Sequence, residues 1–239
     1  MQAKAGKIKK LFLVGLFWAL LIISFCFFSS IIILKANGYS VNISTWEIKK
    51  TGMIVLDADP RGTIIMDAKQ LKNQHFPSRI SNLNEGTYNI EITQPGYQSW
   101  ERVISVVRGQ ASVFNHILLF KDVPSETNAP QQLTATEVAA EMTGYQAGLT
   151  VNGTEIFWQN KLVTRFSQNV AGAVSYPDSA HIVFQVGDQI RVMDLDGTNN
   201  KLLFKIETPE PTSLSFRQGG SIVVYWDTKD SKAKAFIVR

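Results

Sequence analysis

Three histidines, His75, His116 and His181, are the side chains of this sequence best suited to metal or acid–base chemistry. They fall in separate predicted strands or turns, with no carboxylate or cysteine companions at metal-ligand spacing. Asp194, Asp196 and Asn199 resemble the opening of a calcium loop, but no glutamate follows where that loop would close. They read as turn residues of a hairpin. No serine stands in a Gly-x-Ser-x-Gly elbow, and no glycine-rich phosphate loop leads into a helix. The expectation is a non-enzymatic chain with no catalytic, cofactor or metal residues and no binding residues that the sequence names.

Aromatic rings are the other candidate chemistry, since Trp46, Trp100, Trp158, Tyr176, Phe216 and Trp226 could stack on sugars. Most stand at inward strand phase, which favours core packing. Asn42-Ile43-Ser44 and Asn152-Gly153-Thr154 are glycosylation sequons only in a host that modifies them.

The element that must position everything else is the segment 11–34, which contains no charged residue. At about 1.5 Å per residue, a helix of this length crosses the roughly 30 Å hydrocarbon layer of a bilayer. Leu11, Phe12, Leu13 and Val14 through Ile31, Ile32, Ile33 and Leu34 leave it no polar face. Lys4, Lys7, Lys9 and Lys10 precede the span and only Lys35 closely follows it, so residues 1–10 are expected as a cytoplasmic tail and the rest outside.

Other readings of the segment differ in what happens to it. A cleaved signal would use the small-x-small step Ala36-Asn37-Gly38, although signal peptides have shorter apolar regions. A lipidated Cys26 would need a small residue where Phe25 stands, and a buried core helix would show more polar punctuation than Ser24, Ser29, Ser30 and Trp18.

Charge excludes a nucleic-acid partner. Removing the five lysines of residues 1–35 from the 24 basic residues leaves 19 against 20 acidic, so the formal +4 belongs to the anchor and not to a DNA-binding face. The single cysteine lies in the span, so the exported part has no disulfides.

Residues 51–120 carry about six short β signals. The best is the strand after Gly86, where Tyr88, Ile90 and Ile92 alternate with Thr87, Asn89 and Glu91. Turns at Pro60-Arg61-Gly62, Gln94-Pro95-Gly96 and Arg108-Gly109-Gln110 separate the runs, which predicts a small antiparallel sandwich. The order Asp59-Pro60-Arg61-Gly62-Thr63, Phe76-Pro77-Ser78, Leu83-Asn84-Glu85-Gly86-Thr87-Tyr88, Pro95-Gly96-Tyr97-Gln98-Ser99-Trp100 resembles a PEGA domain. Asn84 and Phe76-Pro77 depart from the family pattern in turns only. The resemblance implies a non-catalytic β module of envelope and surface proteins, with no family-wide ligand.

Residues 121–148 lose periodicity, and their Pro124 and Pro130 read as a linker with one helical turn from Thr136 to Met142 that lets the flanking units move. In residues 149–239, Ser175-Tyr176-Pro177-Asp178-Ser179-Ala180-His181-Ile182-Val183-Phe184 aligns with Ser215-Phe216-Arg217-Gln218-Gly219-Gly220-Ser221-Ile222-Val223-Val224 at a spacing of forty residues. With Asp194-Leu195-Asp196-Gly197 following, the first copy resembles a TolB-type, WD-like propeller blade. About ten strands make two and a half blades, too few to close a ring. A truncated or diverged relative of a longer protein is the favoured reading, over an open array capped by another chain or a ring completed by self-association. Two and a half blades leave Ile222 to Trp226 and Ala235 to Val238 without the neighbours a ring would supply.

The sequence therefore predicts an all-β ectodomain, a small sandwich plus partial propeller-like blades, behind one transmembrane helix anchored in lipid by residues 11–34. Its modules are expected to bind or scaffold an envelope protein partner or a second copy; the alternative is peptidoglycan or another envelope glycan.

Overall fold

The computed structural model describes residues 2–42, 47–72, 75–129, 133–142, 148–207 and 213–239. Its contacts group into two compact units, one of residues 1–55, 79–87 and 105–113, the other of residues 56–78, 88–104 and 114–239.

In the first unit, helix α1 (Gln2–Ala36) contains the stretch Leu13–Ala36, of mean hydropathy 2.6 and wholly unburied. Phe25 and Ile32 stand about two-thirds bare, a cost in water that a bilayer removes. The helix stops where Gly38 turns to φ 78, its N–H closing on the Lys35 carbonyl, a conformation that costs glycine little. Thr51 then donates both its N–H and its hydroxyl to the Gly38 carbonyl, each at 2.9 Å. Between them runs a hairpin of β1 (Tyr39–Asn42) and β2 (Glu47–Lys50), with Tyr39 opposite Lys50.

The next seven strands are β3 (Gly52–Asp59), β4 (Thr63–Met66), β5 (Lys69–Gln70), β6 (Ser78–Leu83), β7 (Gly86–Thr93), β8 (Trp100–Val106) and β9 (Ala111–Leu118). They form two sheets, ordered β6-β3-β9 and β5-β4-β7-β8, which is the expected antiparallel sandwich. The predicted alternation in β7 holds. Ile90 and Ile92 are fully buried and Thr87 and Asn89 exposed, with Tyr88 only half-buried near the strand's start. Gly62 is required at the first turn, because a Cβ there would stand 2.5 Å from the Thr93 carbonyl oxygen.

The rest of the second unit is a stack of three small sheets, none of them closed. The first is β11 (Leu149–Asn152), β12 (Glu155–Trp158) and β13 (Lys161–Arg165); the second is the meander β14 (Val170–Ser175), β15 (His181–Val186), β16 (Gln189–Asp194) and β17 (Lys201–Lys205). Strands β18 (Leu214–Arg217), β19 (Ile222–Asp227) and β20 (Lys232–Ile237) make most of the third. The middle sheet is covered on both sides, which is why β15 is buried along nearly its whole length. Ile182 and Phe184 pack with Ile156 of the first sheet, while Val183 and Val192 join Leu214, Phe216 and Val223 of the third.

Two expectations are corrected here. Part of the presumed linker is sheet: β10 (Ser125–Thr127) pairs antiparallel with β20, opposite Ile237, Phe236 and Ala235, and completes the third sheet from an earlier part of the chain. Helix α2 (Ala135–Met142), longer than the expected turn, packs on β18 and β19 with Val138 fully buried. Thr134 and Glu137 close its first turn reciprocally, the Glu137 carboxylate accepting from the Thr134 N–H at 2.8 Å. Val223, Val224, Tyr225, Ala235 and Val238 are consequently buried instead of short of neighbours. At the opposite end of the stack the first sheet carries the Glu155–Arg165 ion pair beside Leu162, which is 45% exposed.

At the forty-residue spacing Ser175 and Ser215 are both buried and the rings of Tyr176 and Phe216 meet edge to face at 5.2 Å, but the registers differ, Ser175 pairing with Ile182 and Ser215 with Val224. Gly220 leaves room for the Tyr176 phenol, which a Cβ would meet at 2.3 Å.

Candidate functional site

A dense polar cluster of the second unit grows from the turn between β14 and β15. Tyr176-Pro177-Asp178-Ser179 reverses the chain, and the Asp178 carboxylate accepts the N–H groups of Ala180 and His181 at 2.9 and 3.2 Å, so the turn is locally determined. That places Asp178 Oδ2 at 2.6 Å from His181 Nδ1. Antiparallel register sets Asp194 directly opposite His181, and Asp194 Oδ1 lies 3.3 Å from Nε2. The imidazole is thus held between two carboxylates.

Asp194 is the hub. Its Oδ2 accepts from Asn199 Nδ2 at 3.0 Å, from Thr198 Oγ1 at 3.2 Å and from the Trp100 indole N–H at 3.2 Å. Arg102 stands 3.7 Å from the same oxygen, pairs closely with Asp196 and lies 5.0 Å above the Phe114 ring. Glu101 donates its N–H to Asn199 Oδ1 at 2.9 Å, and Gln98 donates to the Leu202 carbonyl at 2.7 Å. Strand β8 is therefore tied to the hairpin between β16 and β17.

Electrostatics follows this geometry. Burial alone would pull the His181 imidazole down, but its bonds to Asp178 and Asp194 and their charges outweigh it and raise it to about 9. Burial pushes both carboxyls up; the bonds from His181, with Asn199 and Trp100 adding to Asp194, hold them below the ordinary range. The cluster is an imidazolium with its protons committed. Edge-on rings of Phe120 and Tyr176, at 5.9 and 6.1 Å, close off the remaining sides. A cleft of about 310 Å³ beside it is lined by Trp100, Arg102, Phe114, His116, Ser179 and Asp196.

The three histidines are not brought together: His75 and His116 are exposed and His181 is buried. Among the described residues no group of His, Cys, Asp and Glu side chains is placed to hold a metal ion. Asp194, Asp196 and Asn199 direct their oxygens into their own hairpin and toward Trp100, Arg102 and Glu101, as turn residues do. Of the aromatics, Trp100, Tyr176 and Phe216 are buried and Trp158 and Trp226 half-buried; Trp46 lies outside the described residues, as do Ile43 and Ser44 of the first sequon. Sequence reasoning missed Arg102 and the partnership of Trp100 with Asp194. The only local signal was Asp178 three residues before His181.

The profile of the PEGA domain family matches residues 52–118, about a quarter of the chain, in the region where the turn motifs lie. No curated protein matches the chain.

Proposed function

We propose that this chain is a single-pass, non-enzymatic envelope protein whose exported β modules bind or scaffold a protein partner. The observation that carries this reading is the unburied apolar helix Leu13–Ala36 running, through one hairpin, into a PEGA domain. The lysines of residues 1–10 favour a cytoplasmic tail and an extracytoplasmic β region. The three sheets after the domain are an open stack of blades of TolB-type descent, a reading that rests on the forty-residue repeat. A protein partner is favoured over a glycan because Trp100, Tyr176 and Phe216, three of the rings suited to sugar stacking, are buried in cores. Edge strand β8, with Val103 69% exposed, offers a site for strand addition.

Cross-linking in intact membranes, followed by affinity capture from detergent and mass spectrometry, tests the function. One protein should be captured by the wild type and lost with Val103→Lys. Retention of glycan fragments with no captured protein would overturn the reading. In a Cys26→Ser background, Asn160→Cys should react with an impermeant thiol reagent on intact cells, and protection would reverse the orientation.

A further inference from the structure

The first unit concentrates positive charge where α1 ends. Over residues 35–55, 79–87 and 105–113 it holds Lys35, Lys49, Lys50, Arg79 and Arg108 against Glu47 and Glu85 only. Lys49 is paired with Glu47 and Arg108 with Glu85, each at 2.8 Å, whereas Lys35 and Lys50 make no ion pair among the described residues. Two clefts within the unit collect all of these cations except Arg79. One, of about 540 Å³, is lined by Lys35, Asn37, Thr51, Ser81, Asn82 and Gln110; the other, of about 320 Å³, by Ile48, Lys49, Lys50, Asn84, Glu85 and Arg108. Gly109 lines the first and neighbours Arg108 of the second, and the Lys50 side chain lies across it, so close that a Cβ would stand 2.3 Å from Cε. The clefts therefore adjoin.

We propose that this cleft pair seats the phosphate of an anionic lipid headgroup. The proposal rests on the membrane reading of α1. If Leu13–Ala36 crosses the bilayer, Lys35 in its last turn stands at headgroup height, and the cleft beside it is filled from the lipid surface. The dimensions suit a small polar ligand. Lys35 and Lys50 supply charge, and the amides of Asn37, Asn82 and Gln110 supply hydrogen-bond donors to phosphate and glycerol oxygens. Ile48, 55% exposed on the same hairpin as Lys50, offers the acyl region an apolar contact. A zwitterionic headgroup carries its own cation and gains nothing from this charge.

The full chain, extracted in detergent, is titrated with phosphatidylglycerol or with phosphatidylcholine, and retained lipids are counted by native mass spectrometry. Phosphatidylglycerol should be retained the more tightly, by roughly fivefold for each cation engaged. The preference should vanish in the K35Q/K50Q/R108Q variant while its thermal unfolding stays unchanged, since all three side chains are exposed. Equal retention of the two lipids, or a preference that survives the triple substitution, overturns the proposal. So does displacement of phosphatidylglycerol by millimolar inorganic phosphate, which would make the cleft a site for soluble anions. The anchor reading fails separately: a chain released from membranes by alkaline extraction has no spanning helix, whichever lipids it retains.

Discussion

The indole N–H of Trp100 donates to Oδ2 of Asp194 at 3.2 Å, linking the first residue of β8 to the last residue of β16, 94 positions later. Both side chains are shielded from solvent, at 3% and 13% exposure. The bond ties the start of β8, within the stretch that the PEGA family model matches, to the end of β16 in the middle sheet.

Trp100→Phe should keep most of the packing and remove only the donor. A buried carboxylate oxygen that loses a partner costs about 1–3 kcal/mol, and the chemical unfolding midpoint of the full chain in micelles should fall accordingly. A loss below about 0.5 kcal/mol would make the bond dispensable. Residues 51–120 expressed alone should melt well below the same strands in the full chain, because Gln98, Trp100 and Glu101 lose their later partners.

Stability should fall on the alkaline side through His181. Its folded value of about 9 lies above the ordinary 6.5, so its contribution is fully present below about pH 6.5 and is lost as pH rises through 9. The full effect is on the order of 3 kcal/mol for a group this buried. Asp178 and Asp194, held low, contribute above their ordinary value of 3.8 and lose that contribution as pH falls further. Melting temperatures of the wild type should drop between pH 6.5 and 9 while those of His181→Gln stay level. A level wild-type profile would refute the buried imidazolium.

Val138→Asp tests the cap on the third sheet. A charge forced into the contact with β18 and β19 costs several kcal/mol, so α2 should detach and bare the face that carries Val224. Sedimentation should show self-association, and a hydrophobic dye should brighten. A monomer that binds no dye would mean that α2 does not protect this face.

Lys234 pairs closely with Asp227, whose residue is 2% exposed, and lies 3.0 Å from Asp230. Burial pushes the Asp227 carboxyl up, but Lys234 and the Lys229 N–H outweigh it and hold it below the usual range. Lys234→Met leaves that carboxylate buried without its cation and should cost about 3–5 kcal/mol. Adding Asp227→Asn should recover most of the loss in a double-mutant cycle. A double-variant cost equal to the sum of the two single costs would show that the pair is not coupled.

What the sequence determined by itself was whatever composition or short-range order decides. An uncharged run from Leu11 to Leu34 needs no partner to prefer hydrocarbon, so a helix long and apolar enough to cross a membrane is legible from residue types alone. The turn chemistry at Pro60-Arg61-Gly62 and Pro95-Gly96 and the two-residue period around Ile90 and Ile92 are equally local, and they carried both the sandwich and the PEGA resemblance. Tertiary structure decided everything that depends on which surfaces meet. Ser125–Thr127 has no strand period to display and becomes a strand only because β20, more than a hundred residues later, presents an unpaired edge. Val138 looks like one apolar residue in a polar stretch until the outer face of the third sheet gives it something to bury against. His181 and Asp194 looked like an isolated histidine and a turn residue, because antiparallel register sets them opposite each other and only the packing of β8 against the same hairpin adds Trp100 and Arg102. Hydrogen-bond donors and acceptors are ordinary in type and specific in position, and position across 94 residues is a property of the packed chain.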